Sequence, residues 1–110
     1  MKSTKSAGRY AKALLELALD QDKLALVEAD MLQLIKMSEE VHDFHVFINS
    51  PLIQIDKKVA VIHSIFKDFN EVTLKFLALV TNNGREGAMI EIAKQFIAQL
   101  MSHRGTVPVT

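Results

Sequence analysis

Along nearly the whole chain apolar residues return every three or four positions, and almost nowhere do they alternate with the period of two that a half-buried strand needs. That pattern restricts the fold to helices packed on helices. The spacing predicts a first helix over 6–19, a second running to about Glu40, and a short third over 42–48. A fourth begins near Ile55 or Asp56, a fifth starts at Glu71 and ends at Asn82 or Asn83, and Arg85 and Glu86 open a sixth that ends at His103-Arg104-Gly105. The punctuation agrees. Ser3, Thr4 and Ser6 offer hydroxyl caps to the first helix, Asp22 a cap to the second and Asn70 a cap to the fifth. Pro51 disfavours helical geometry at Ser50, and Gly84 supplies the left-handed residue on which a helix can stop. Connections this short make neighbours antiparallel, so the expected architecture is an all-α six-helix bundle.

The inward positions follow from the same spacing. They are Leu24, Val27, Met31, Leu34 and Ser38 on one face of the second helix, Phe44, Phe47 and Ile48 on the third, and Val59, Ile62 and Phe66 on the fourth, with Phe69 packing just beyond its end. On the sixth they are Met89, Ile92 or Ala93, Phe96 and Leu100, while Lys57, Lys58 and Lys67 are expected to face water. A short β-like tail, Gly105-Thr106-Val107-Pro108-Val109-Thr110, closes the chain with nothing obvious to pair with.

Composition narrows the function. The length of 110 residues suits one domain with a real core, and thirteen basic residues balance thirteen acidic ones. Zero net charge removes the simplest argument for nucleic acid, which needs a surplus of Lys and Arg on one surface. Without cysteine there is no disulfide framework and no thiolate chemistry, which fits a cytoplasmic setting. No run approaches the 18 or so apolar residues that cross a bilayer, so membrane association is expected only through a partner.

Two helices carry more apolar surface than one core face requires. On the first, Arg9, Lys12, Glu16 and Asp20 fall within an arc of about 80°, leaving Tyr10, Ala13, Leu14, Leu17 and Leu19 among the apolar residues around most of the circumference. On the fifth, Glu71, Lys75 and Asn82 cluster, while Val72, Phe76, Leu77, Leu79 and Val80 spread widely. Periodicity leaves two explanations open. Either these helices form the interior of the bundle, or a groove between them receives an amphipathic helix from another chain.

Catalysis finds little support. His42 and His45 share a helix face but lack a third ligand at metal spacing, and His63 and His103 read as packing and helix-end residues. No carboxylate pair is marked for acid and base work, and no cofactor motif is present. The 84–87 segment matches the bare G-x-x-G of an RNA-binding loop, but Glu86 repels phosphate and the flanking strands are missing.

Three signatures then point to a family. Arg9-Tyr10-Ala11-Lys12-Ala13-Leu14 opens the first helix, Ser50-Pro51 precedes a helix start at Lys57-Lys58, and Asn83-Gly84-Arg85 precedes the last helix. With the closing Arg104-Gly105-Thr106-Val107, they resemble the amino-terminal domain of the δ subunit of bacterial F-type ATP synthase, whose mitochondrial counterpart is the oligomycin-sensitivity-conferring protein. The resemblance implies a non-catalytic clamp without cofactors in the peripheral stalk, at the cytoplasmic face of the bacterial inner membrane. It also implies a groove for the amino-terminal helix of a catalytic-head α subunit, formed by Tyr10, Ala13 and Leu14 on the first helix and Phe76, Leu79 and Asn83 on the fifth. Residues 1–105 then form the helical domain, and 106–110 begin a missing carboxy-terminal domain that meets the stalk b subunits. The other expectations are a generic adaptor for some other amphipathic helix and, more remotely, an RNA-binding module.

Overall fold

The computed structural model describes residues 4–105. The expected hydroxyl cap at Ser3 and the β-like tail over 106–110 lie outside the described residues. Six α-helices follow one another: α1 (Thr4–Asp20), α2 (Leu24–Glu40), α3 (His42–Asn49), α4 (Ile55–Ile65), α5 (Glu71–Asn82) and α6 (Met89–Arg104). One turn of 3-10 helix, Glu86–Ala88, leads into α6, and no strand occurs among the described residues.

The core is organised around α6. Its side chains Met89, Ile92, Ala93, Phe96 and Leu100 are all buried, and both α1 and α2 pack principally against it. Sequence neighbours are therefore not always the closest spatial partners: α1 reaches across to the far end of the chain, whereas α4 and α5 pack as the adjacent pair that their short connection predicts. Ala7, Ala11 and Ala18 on the buried stripe of α1 have no exposed surface. Side chains this small let α1 lie close to α6. An aromatic stack seals the α3–α4 side, with Phe66 edge-on to Phe44 at 5.6 Å and face-to-face with Phe69 at 4.6 Å.

The helix ends show which caps operate. Asn70 accepts a hydrogen bond from the Val72 N–H at 2.9 Å, the capping contact expected of it. Its own N–H donates to Asp30 Oδ2 on α2 at 2.9 Å, and the Thr73 hydroxyl donates to the same oxygen at 2.7 Å, which pins the start of α5 to α2. Gly84 and Gly105 take the left-handed conformation (φ 73° and 69°) after α5 and α6. Asp22 departs from expectation. It does not cap α2, whose N-cap position is Lys23 without a side-chain bond. Instead it turns left-handed at φ 57° and helps close α1, its N–H reaching Leu19 and that of Lys23 reaching Ala18. An aspartate tolerates that conformation better than most side chains.

Lys58 corrects a second expectation. It does not face water: only 3% of it is exposed. Its ammonium donates to Glu86 Oε2 at 2.7 Å and to the Ile48 carbonyl at 3.2 Å. The other oxygen of Glu86, Oε1, is buried and has no hydrogen-bond partner in the protein. The helical period misplaces Lys58 because the long stem passes over apolar surface while the charge meets its partner 28 residues further along the chain. One lysine thereby ties α4 to the end of α3 and to the turn before α6.

Removing one member of a buried ion pair leaves the other charge uncompensated, at a cost of about 3–5 kcal/mol. Lys58→Ala is therefore expected to lower the unfolding free energy by about that amount in a urea titration. The double change Lys58→Met with Glu86→Leu should recover most of the loss. Phe66→Asp places an unpaired carboxylate in the aromatic stack, and loss of the helical circular-dichroism signal at 25 °C is expected.

Candidate functional site

Helix α1 buries Ala7, Ala11, Leu14, Leu15 and Ala18, and this stripe leaves a second apolar edge uncovered. Ala13 is exposed, and Leu17 is 41% exposed. Helix α5 buries Thr73, Phe76, Leu77, Val80 and Thr81 and leaves Leu79 51% exposed, which rules out an α5 enclosed on all sides. The two helices adjoin on this side, where Leu17 and Val72 line one cleft. Because α1 leans on α6 and α2, and α5 on α4, the two helices meet without close backbone packing, and side chains bridge the furrow between them.

The bridge is Tyr10. Its ring stands edge-on to Phe76 with centroids 6.2 Å apart and planes at 75°. Its hydroxyl accepts a hydrogen bond from Asn83 Nδ2 at 3.0 Å, closing one end of the furrow. The first half of α1 thus lies beside the end of α5. At the opposite end, a cleft of about 380 Å³ is bounded by Leu17 and Gln21 from α1 and its following turn and by Val72 and Lys75 from α5. The ion pair between Lys75 and Glu71, 3.0 Å long and fully in solvent, marks the lip there. The Lys75 hydrogen bond and charge hold the Glu71 carboxyl below the usual carboxylate range.

Of the residues expected to form the groove, the fold brings Tyr10, Phe76 and Asn83 into one contacting group and leaves Ala13 and Leu79 on its exposed edges. Leu14 lies entirely in the core and presents no surface to a visiting chain. Leu17 and Val72 belong to the furrow but fall outside the expected set. Both were within reach of the pattern, since Leu17 is seven positions after Tyr10 and Val72 seven before Leu79, the two-turn repeat that keeps residues on one helix face. Other exposed apolar side chains exist, Leu52 on the α3–α4 connection and Leu26 and Leu32 on α2 among them. Single exposed leucines are common on folded surfaces; adjoining apolar edges on two helices are less so.

Among the described residues no group of three or more His, Asp or Glu side chains could hold a metal ion. The 84–87 segment is a helix stop followed by a 3-10 turn, with Glu86 directed inward to Lys58.

The charge order on α1 is unusual. Lys5, Arg9 and Lys12 occupy its first half and Glu16 and Asp20 its second, so there is no acid in the first turn and no base in the last. This opposes the helix dipole, which favours the reverse arrangement. Two like-charge pairs, Lys5 with Arg9 and Glu16 with Asp20, also stand four residues apart, and each disfavours the isolated helix by about 0.2–0.5 kcal/mol.

The fold and furrow define a small all-α module whose distinctive exposed chemistry is apolar. Comparison with known proteins supplies the family. The family model described as "ATP synthase delta (OSCP) subunit" matches residues 7–110, and the chain belongs to that family. It is 35% identical over 97 residues to an ATP synthase subunit delta of Christiangramia forsetii, covering 88% of this chain and 53% of the relative. It is 34% identical over 108 residues to the same subunit of Caulobacter vibrioides, covering 96% and 59%. ATP synthase subunit O, mitochondrial, of Ipomoea batatas is 32% identical over 94% of this chain and 43% of its own length. The chain therefore spans little more than half the length of the bacterial relatives. Among solved structures, a chain of the Toxoplasma gondii mitochondrial ATP synthase hexamer superposes with a TM-score of 0.77 at 25% identity, covering 82% of this chain and 51% of that one. No helix among the described residues is long and apolar enough to cross a membrane.

Asn83→Ala removes the bond that closes the furrow at Tyr10. Because both groups are partly solvated, the expected loss of stability is about 0.5–1 kcal/mol. The tyrosine ring resonances should shift in NMR spectra while those of the α6 core remain in place.

Proposed function

We propose that this chain is the helix-binding part of a stator subunit, clamping the catalytic head of an F-type ATP synthase to its peripheral stalk without catalysing a reaction. The observation that carries the reading is the furrow itself, with Leu79 and Leu17 exposed on adjoining edges and Tyr10 spanning the gap. The occupant is the amphipathic amino-terminal helix of an α subunit, whose apolar face covers Ala13, Leu17 and Leu79 and meets Tyr10, Phe76 and Asn83. In the full-length subunit, the part that follows the helical domain meets the stalk b subunits. The assembly then sits peripherally at the cytoplasmic face of the bacterial inner membrane.

A clamp of this kind works by holding rather than reacting. Torque delivered to the head by a rotating shaft drives ATP synthesis or ion transport only if the head is kept from turning with it. Helix-in-groove burial suits the task, because each Å² of apolar surface removed from water contributes about 25 cal/mol and requires no charge on the clamp. The exposed leucines are the natural anchors. Association also restricts two bodies and orders their side chains, so affinity depends on how well these anchors seat rather than on area alone.

Leu79→Asp should leave the circular-dichroism spectrum and melting temperature close to the parent's, since that side chain is half in solvent. The same change should weaken binding of an α-subunit amino-terminal peptide about a hundredfold in calorimetric titration, the loss expected of a central anchor. Unchanged affinity would remove the furrow from consideration. Equal affinity for an unrelated amphipathic helix would favour the generic adaptor instead.

A further inference from the structure

We infer that the furrow selects its guest by a polar contact as well as by apolar anchors: the bound helix carries a neutral amide or hydroxyl side chain over the Tyr10–Asn83 contact, one turn beyond the apolar residue that seats on Leu79. This rests on the furrow being the binding site. The two helices run antiparallel along it. The first half of α1 lies beside the end of α5, while Leu17, further along α1, shares a cleft with Val72 near the start of α5. Ala13 and Leu79, each one turn in from the Tyr10–Asn83 contact on its own helix, therefore lie at one level, and both are exposed. Leu79 and Asn83 are one turn apart, about 5.4 Å along the axis, on one face of α5. A helix about 10 Å across that seats on the first covers the second.

The contact does not use up its own hydrogen-bonding capacity. Asn83 Nδ2 donates to the Tyr10 hydroxyl at 3.0 Å. The hydroxyl keeps its proton to donate, and the Asn83 amide keeps its carbonyl oxygen and a second N–H. Neither side chain makes another hydrogen bond among the described residues. Turning the amide over exchanges donor for acceptor and still leaves one of each. In the free protein water satisfies these groups, since Asn83 is exposed and Tyr10 half-buried. A guest seated on Leu79 displaces that water. A wholly apolar guest then leaves a donor and an acceptor buried without partners, and its binding is weakened by their desolvation. One amide or hydroxyl both donates and accepts, so it satisfies the pair, whereas a carboxylate only accepts and an ammonium only donates. A single polar residue in an apolar seam also fixes register, because a slip of one turn would bury it against Leu79.

Three helical peptides test the inference, sharing one apolar face and differing only in the residue one turn beyond its outer anchor, which is Gln, Leu or Glu. The Gln peptide should bind the native chain about tenfold more tightly than the Leu peptide. It should also shift the side-chain amide signals of Asn83 in NMR spectra, identified by their loss in Asn83→Ala. In the double variant Tyr10→Phe with Asn83→Leu the contact keeps its rings and loses its polar groups, so the order should invert in favour of the Leu peptide. The comparison on the native chain stands by itself if that variant does not fold. Equal or tighter binding of the Leu peptide by the native chain overturns the inference while leaving the furrow as the site. Tightest binding by the Glu peptide, with a steep dependence on salt, overturns it as well and transfers the recognition to Arg9 and Arg85, exposed within two residues of the contact along the chain. If no peptide disturbs Tyr10 or Leu79 at saturation, the proposed function falls too.

Discussion

The position of α6 determines what every other helix can do. Phe96 and its neighbours along that helix fill the centre of the bundle, so α1 and α2 each need only one stripe to lie against it. Helix α1 meets that requirement with three alanines and two leucines. Its remaining apolar residues are therefore surplus to the fold. The same holds for α5, which rests on α4 and is pinned to α2 through Asp30. Two helices anchored to different neighbours leave a gap, and their unused edges line it.

Much of this was legible in the sequence. Helix boundaries, the Asn70 cap, the Gly84 and Gly105 stops and the inward residues of α6 all follow from spacing and from backbone preferences that act locally. Phe69 stacking on Phe66 beyond the end of α4 followed in the same way. What local rules could not supply was pairing across sequence distance. Lys58 reads as a surface lysine until Glu86 and the Ile48 carbonyl are brought to it. Asp22 reads as an acceptor poised before α2 until the chain reversal after α1 requires a left-handed residue at that position.

The furrow was partly legible for the same reason. Surplus apolar surface on α1 and α5 can be counted from the sequence, but whether it is covered depends on which helix takes the centre. Tyr10, Phe76 and Asn83 come together in one contacting group. Leu14, next to Ala13 in sequence, is rotated into the core by 100°, enough to separate a lining residue from a buried one. Leu17 and Val72 extend the furrow by two turns in the direction that the motifs do not mark.

Tyr10 has one more consequence. The chain contains a single tyrosine and no tryptophan. Its ultraviolet emission therefore originates almost wholly from one ring, and that ring spans the gap between α1 and α5 with its hydroxyl held by Asn83. The molecule carries a built-in optical reporter at the place where occupancy matters, readable in the native chain without a dye or an introduced fluorophore.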